Sequence, residues 1–565
     1  MPSKASQLPI EFHHQIEPVL ETTEHSHVVY RLWAKDYQLW KPDPTEISNR
    51  LGWLTVHDEM RKHLSALNAA VAGAREMGIK DVVLLGMGGS SLGPEVLRAS
   101  FGSAKGFPKL WVLDSTVPGW VRLVTSAINP AKSLFVVASK SGGTIEVLSL
   151  FTHFWRCVTK ARMNRGGDHF MAITDPGTSL EQLAREHGFN RVFSNPADIG
   201  GRYSVLSLFG LVPAALLGID VRRLLERAAL MADRCRTQTP LLDNPGAYLG
   251  CAMGALAKSG RNKVTIVASP GLSTFGLWAE QLLAESTGKE GTGLIPVAQE
   301  PVLSPSSYGA DRFLLYLRLR GDRNAVLDRQ VAALVLAKHP VMRFDLADRL
   351  DLGGEFFRWE FATAVAGHLL KIQPFDQPNV QESKENTHRV LSTYQSTGRL
   401  PEEESLQPKQ AALELAHRLR AGSYLAILAY TTPSPALEKA LSSLRKAVVT
   451  RFHVTTTSGY GPRYLHSTGQ LHKGGPPIGL FLQLVERMTP DLAIPDKPFS
   501  FGTLAQAQAA GDLESLRSHG YHAIRVPLGR NPVATVTALT AALLPRHSAT
   551  GRTPIRRRPS ARRRR

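Results

Sequence analysis

Apolar positions along the chain fall into two patterns: short unbroken runs, and longer stretches repeating every three to four residues. Runs at Val82, Leu110, Phe135, Phe170 and Arg191 predict five strands. The fullest of them carry no alternating polar face, as parallel strands covered on both sides do. Helical periodicity over 58–77 leads into the first strand, and 145–154 follows the third. A helix over 179–187 stops at Gly188, a favoured terminator, and a strand follows at once. Strands alternating with helices imply a doubly wound α/β sheet.

A second unit starts with a strand at 263–268 and continues through 313–318 and 341–344, with helices over 275–285 and 354–370. The polar, acidic stretch 396–409 predicts a surface loop. Beyond it a third α/β unit is expected, with strands near 424–430, 448–455, 479–485 and 522–527. Ahead of the first unit lie a loose leader to about Tyr30 and a Trp- and Pro-bearing segment at 33–53. The implied division is a leader and helix over 1–62, domains over 63–235 and 240–395, a C-terminal α/β unit over 420–545, and a tail over 546–565.

Composition bounds this picture. With 565 residues, 43% hydrophobic and 20% charged, the chain has material for several cores. No apolar run reaches membrane-spanning length, and the N-terminus lacks the basic-then-apolar order of a signal peptide, so a cytoplasmic location is expected. Cys157, Cys235 and Cys251 have no metal-ligand spacing and read as reduced core thiols. The net charge of +19 is uneven: residues 546–565 hold nine arginines and no acid, leaving about +10 on the rest. Such a tail cannot bury a core and is expected to be disordered. It reads as a solvated extension, with an arm touching nucleic acid or an anionic surface as the other reading.

The chemistry begins where strands end. Val82-Val83-Leu84-Leu85 runs into Gly86-Met87-Gly88-Gly89-Ser90-Ser91-Leu92-Gly93-Pro94, a glycine- and hydroxyl-rich turn that opens a helix. Glycines admit a ligand close to the backbone, and unpaired amides at a helix N-terminus favour an anion. Leu134-Phe135-Val136-Val137-Ala138 likewise runs into Ser139-Lys140-Ser141-Gly142-Gly143-Thr144. Ligands of open α/β sheets bind outside the carboxyl ends of the strands, so the two loops are expected to close on one phosphate. A P-loop needs Gly-Lys followed by Ser or Thr, and the dinucleotide fingerprint needs glycine where Ser91 stands; neither fits. Asp114 follows the second strand at too long an offset to serve as a ribose-binding acid.

A base is available on the 275–285 helix, where Gln281 and Glu285 stand four residues apart on one face. A carboxylate near a helix C-terminus gains proton affinity from the dipole, which suits a general base; a solvated surface glutamate is the other reading. Arg202, in Gly200-Gly201-Arg202-Tyr203-Ser204, reads as a partner for a developing oxyanion or as a structural ion-pair residue.

These blocks, taken in order with Phe375-Asp376-Gln377-Pro378-Asn379-Val380-Gln381-Glu382-Ser383-Lys384, resemble the glucose-6-phosphate isomerase family. The likeness runs from about Trp33 to Lys384. Flanking segments, including Gly461-Pro462-Arg463-Tyr464-Leu465-His466, look closest to the isomerase half of transaldolase/isomerase fusions, here without the transaldolase part. The resemblance implies two flavodoxin-like sugar isomerase (SIS) domains, a third unit that ordinary members lack, a homodimer, and a small sugar phosphate as partner with no cofactor or metal. It implies that Ser90, Ser139, Ser141 and Thr144, with backbone donors at Gly89 and Lys140, hold the phosphate. Glu285 would carry the proton between C2 and C1, Arg202 would stabilise the enediol oxygen, Gln281 and Gln377 would orient hydroxyls, and Lys384 would assist ring opening. The implied reaction is interconversion of glucose 6-phosphate and fructose 6-phosphate. A dual phosphoglucose/phosphomannose isomerase and a non-catalytic sugar-phosphate sensor are the alternatives.

One position departs from the pattern. The family's ring-opening histidine, contributed by the partner subunit, matches Asp311, a poorer acid at neutral pH. His388, one helical turn past Lys384, is a candidate replacement, as are His466 and His472 in the third unit.

Overall fold

The computed structural model describes residues 4–5, 8–161 and 166–544, with the side chains of 4–5 left aside. Its fourteen strands are β1 (Lys4–Ala5), β2 (Asp81–Gly86), β3 (Lys109–Leu113), β4 (Ser133–Ala138), β5 (Phe170–Thr174), β6 (Arg191–Ser194), β7 (Lys263–Ala268), β8 (Ile295–Ala298), β9 (Arg312–Leu319), β10 (Val341–Leu346), β11 (Tyr424–Tyr430), β12 (Thr455–Tyr460), β13 (Gly479–Val485) and β14 (His522–Pro527). They form three sheets, ordered β3-β2-β4-β5-β6, β1-β10-β9-β7-β8 and β12-β11-β13-β14. Every pairing between these strands is parallel except β1 with β10. In each sheet the first of the α/β strands lies between the second and the third, the doubly wound order whose switch point opens a crevice at the carboxyl ends. In the first sheet that crevice lies between β2 and β4, where the two glycine- and hydroxyl-rich loops emerge.

The unbroken apolar runs have a direct cause. Val82 and Leu84 of β2 point into one core with the N-terminal helices and the second sheet, while Val83 and Leu85 point into another shared with the third unit. In β11, Tyr424, Ala426 and Leu428 join that second core, and Leu425, Ile427 and Ala429 pack on the third unit's own helices. The third unit is therefore welded to the first sheet. Polar contacts tie it to the second sheet as well. Arg445 donates to the Ala298 carbonyl (2.9 Å), and Glu300, paired with Arg312 at 2.8 Å, accepts from the Thr456 amide at 2.9 Å.

Three expectations need correction. The leader is helical over His13–His25 and Val28–Trp33 rather than loose, held where Thr23 meets Cys251 and the Trp33 indole donates to the Cys235 carbonyl. The strand expected near 448–455 is instead the end of the helix Pro435–Phe452, and the strand follows it at β12. Strand β8 was not anticipated. The arginine-rich tail lies outside the described residues. Among those residues no helix is long and apolar enough to cross a membrane.

One buried carboxyl yields a stability prediction. Glu360, inside the helix Leu352–Leu369, has no exposed surface, and neither carboxyl oxygen has a hydrogen-bond partner among the described residues. Burial pushes it well above the ordinary carboxylate value. Over the window between those two values the folded state keeps a proton that the unfolded chain releases, so stability falls as pH rises. Glu360→Gln removes this dependence. Melting temperatures should show an advantage of the variant over wild type that grows as pH rises above the ordinary glutamate range, whereas a constant offset would contradict it.

Candidate active site

Gly88 has a φ of +55°, and the turn Gly88–Ser90 then delivers the chain into the helix Leu92–Phe101. Ser90 is buried at the cavity wall, and Ser91 donates to the Gly88 carbonyl at 3.2 Å. The loop after β4 is closed on itself by the hydroxyls of Ser139 and Thr144, 2.8 Å apart. Lys140 pairs with Asp175 and donates to the Ala197 carbonyl at 3.0 Å. Both loops border one cavity of about 930 Å³.

The second sheet unit lines the same cavity through Gln281 and Glu285, beside Arg202 of the first. Glu285 sits in the last turn of the helix Phe275–Thr287, 4% exposed, with Oε2 accepting from Arg202 Nη1 and Gln281 Nε2, both at 3.2 Å. Arg202 is itself buried and saturated: Nε donates to Ser286 (3.0 Å), Nη1 also to Gln377 Oε1 (2.7 Å), and Nη2 to the carbonyls of Asp376 (2.6 Å) and Pro374 (3.3 Å). This fixes the guanidinium beside Glu285. Burial raises the proton affinity of Glu285, while Arg202 and then His466 oppose it; the net effect is a carboxyl above its ordinary value. Lys289 holds the segment that carries Gln377 through the Asp376 carbonyl at 2.7 Å, and burial together with Arg202 pushes its ammonium down to about 7 despite Asp376.

The cavity thus gathers the hydroxyl-bearing loops and a base beside a fixed cation. Gln281 Oε1 is buried without a partner among the described residues, leaving an acceptor for a ligand hydroxyl. Lys384, on the helix Pro378–Thr397, lines the same cavity from an exposed position, and so does His388.

Similarity to known proteins follows this geometry. Residues 23–293 match the family model described as phosphoglucose isomerase. A glucose-6-phosphate isomerase of Rubrobacter xylanophilus is 30% identical over 375 residues, 58% of this chain and 86% of that one. The chain belongs to the phosphoglucose isomerase family. The glucose-6-phosphate isomerase of Carboxydothermus hydrogenoformans is 29% identical over 367 residues, covering 55% of this chain and 79% of its own. Among solved structures, a glucose-6-phosphate isomerase of Chlamydia trachomatis superposes with a TM-score of 0.56 at 18% identity, over 71% of this chain and 89% of that one. A hypothetical protein of Thermus thermophilus gives 0.59 at 23% identity, over 68% of this chain and 99% of that one. The phosphoglucose isomerase match ends at 293, so Gln377, Lys384 and the whole third sheet lie beyond it.

Against the sequence expectations, the structure brings Gly89, Ser90, Ser139, Lys140, Ser141, Thr144, Arg202, Gln281, Glu285, Gln377, Lys384 and His388 to one cavity. Asp311 is not on it. Its carboxylate pairs with Lys263 at 3.2 Å, and that ammonium also reaches the Gly422 carbonyl at 2.7 Å, so Asp311 serves the junction of the second and third units. His472 is a core residue, packed on Phe481 with ring centroids 5.1 Å apart and pushed down to about 3 by burial. Glu146 and Gln508, among other lining residues, were not singled out from sequence. Glu146 follows Thr144 by two positions in the first turn of the helix Ile145–Ala161, where an acid reads simply as complementing the helix dipole.

Proposed function

We infer that this chain is a glucose-6-phosphate isomerase, interconverting glucose 6-phosphate and fructose 6-phosphate through an enediol. The observation that carries the reading is the buried Glu285–Arg202 pair lining one cavity with the two hydroxyl loops. The loops at 86–90 and 139–144 take the phosphate, through Ser90, Ser139, Ser141 and Thr144 and the amides of Gly89 and Lys140. In the open-chain aldose, Glu285 removes the proton from C2; the C–H electrons form the C1–C2 double bond, and the carbonyl oxygen takes up charge. Arg202 stabilises that charge from a position it already holds, at no reorganisation cost. The proton of the C2 hydroxyl passes to O1, giving the C1 hydroxyl and leaving the charge on O2, and Glu285 then returns its proton to C1 as the C2 oxygen becomes the ketone. Gln281 and Gln377 orient hydroxyls, and Lys384 approaches the ring oxygen. We assign the reaction to the cytoplasm, where sugar phosphates are handled.

A dehydrogenase-coupled assay of the purified chain tests the reading directly. Conversion of fructose 6-phosphate to glucose 6-phosphate is expected, with mannose 6-phosphate run in parallel to measure discrimination at C2. No conversion of either hexose phosphate would refute it. The phosphate is held equally in ground and transition states, so loss of one hydroxyl should weaken binding rather than chemistry. Ser90→Ala is expected to raise KM about tenfold, the scale of a hydrogen bond to a charged group, with kcat nearly unchanged. A fall confined to kcat would remove Ser90 from the phosphate site.

A further inference from the structure

The third unit reaches the cavity with Gln508 of the helix Phe501–Ser518 and with one short turn. After β12 the chain passes through Arg463–His466, and this turn is bolted to the first sheet unit. Arg463 grips Asp114 with two bonds of 2.8 Å, and Tyr464 donates to the buried Asp512 at 2.7 Å, which Lys473 also holds at 2.7 Å. The turn therefore has little freedom, and His466 at its end is held on three sides. Its Nε2 lies 2.9 Å from Glu146 Oε1. Its carbonyl accepts from Gln281 Nε2 at 2.9 Å, the same amide group that reaches Glu285. Its backbone also fills the space beside Gly88, where a Cβ would come within 2.7 Å of the His466 carbonyl oxygen.

Glu146 is set up for that imidazole. Gln508, also from the third unit, donates to the same Oε1 at 2.7 Å, and the Thr116 hydroxyl donates to Gln508 Oε1 at 2.7 Å, fixing the amide's orientation. Burial alone would favour the neutral acid, but His466, and more weakly Lys384, outweigh it and hold Glu146 below its ordinary value. With Nε2 committed to a carboxylate, Nδ1 of His466 has no hydrogen-bond partner among the described residues, and the side chain keeps 19% of its surface on the cavity. This is a carboxylate-oriented imidazole with one nitrogen left for a ligand.

We propose that the third unit supplies His466 as the acid–base group that opens the sugar ring, completing the active site within a single chain. The inference rests on the isomerase reading above. His466, protonated and oriented by Glu146, gives the Nδ1 proton to the ring oxygen as the C1–O5 bond breaks; the C1 hydroxyl loses its proton to water and becomes the aldehyde. When the ketose closes through O5, that hydroxyl returns its proton to His466, and water protonates the C2 oxygen. Neither Asp311 nor a residue of a second copy is required.

The test compares glucose 6-phosphate with an aldotetrose 4-phosphate, whose ring-closing hydroxyl carries the phosphate, so that it stays open. His466→Ala is expected to lower kcat/KM about a hundredfold on the hexose phosphate and less than about threefold on the tetrose phosphate. Glu146→Gln should show the same split, more weakly. Equal losses on both substrates, or none on either, would overturn the assignment. Co-expressing Glu285→Gln with His466→Ala tests where the histidine acts: if it serves its own chain, mixed assemblies stay inactive, and recovery would overturn completion within one chain. Inactive wild-type protein would instead remove the isomerase reading itself.

Discussion

Glu285→Gln is expected to cut turnover of glucose 6-phosphate by about a thousandfold or more while leaving the affinity for a phosphate-bearing ligand within a few-fold of wild type. The amide keeps the size of the carboxyl and can still meet Arg202, so the cavity should persist; what it cannot do is accept a proton from carbon. Isothermal titration with a linear sugar-acid phosphate, alongside kinetics, separates the two effects. The pH profile of the wild type gives the complementary reading. Glu285 must be ionised to act, and burial holds it above the ordinary glutamate value even with Arg202 beside it. The acid limb of kcat/KM should therefore fall away at a pH above the ordinary glutamate range. A variant that keeps full activity would remove Glu285 from the chemistry.

The second large effect is expected at a glycine. A Cβ on Gly89 would lie 1.9 Å from the carbonyl oxygen of Gly201 and 2.4 Å from its carbonyl carbon. Both obstacles are backbone, so the strand-end loop and the turn Gly201–Tyr203 must move apart. The next residue in that turn is Arg202, whose guanidinium is tied to Glu285, Gln377 and two carbonyls, so the displacement passes to the base and the cation together. Gly89→Ala should cost about 1–3 kcal/mol of stability, as overpacking does. It should also cost about a hundredfold in kcat, the scale of an ångström's misplacement of catalytic groups. Gly201→Ala is the control: a Cβ there meets nothing within 4 Å, and its φ is not in the left-handed region, so it should be tolerated. Equal effects at the two positions would mean that the contact between the loops does not set the site.

The first sheet was legible because both its faces are covered, which writes strands such as β2 and β4 as short unbroken apolar runs bounded by turn residues. Strand β12 was misplaced for the opposite reason. It reads Thr-Thr-Thr-Ser-Gly-Tyr at a sheet edge, while the apolar Val448 and Val449 just before it belong to the helix Pro435–Phe452, started by the Ser434 cap. Strand β8, four residues with a proline, sits at an edge and carries too little pattern to be seen. At the site, the loops, the base and the arginine announced themselves by residue type and position. His466 was visible only as one candidate among several, because what distinguishes it is a carboxylate 320 positions away, brought within 2.9 Å by the docking of the third unit on the first. Asp311 was drawn toward the site by its place in a motif, yet its contact with Lys263 belongs to an interface between sheets.

The central claim, proton transfer at C2 by a base in this cavity, is tested most directly by following glucose 6-phosphate in heavy water by NMR with the intact chain. The account predicts that fructose 6-phosphate appears and that deuterium accumulates at C2 of the remaining glucose 6-phosphate as the two interconvert. Absence of fructose 6-phosphate would contradict it, and so would undiminished interconversion and deuterium uptake at C2 in the Glu285→Gln variant.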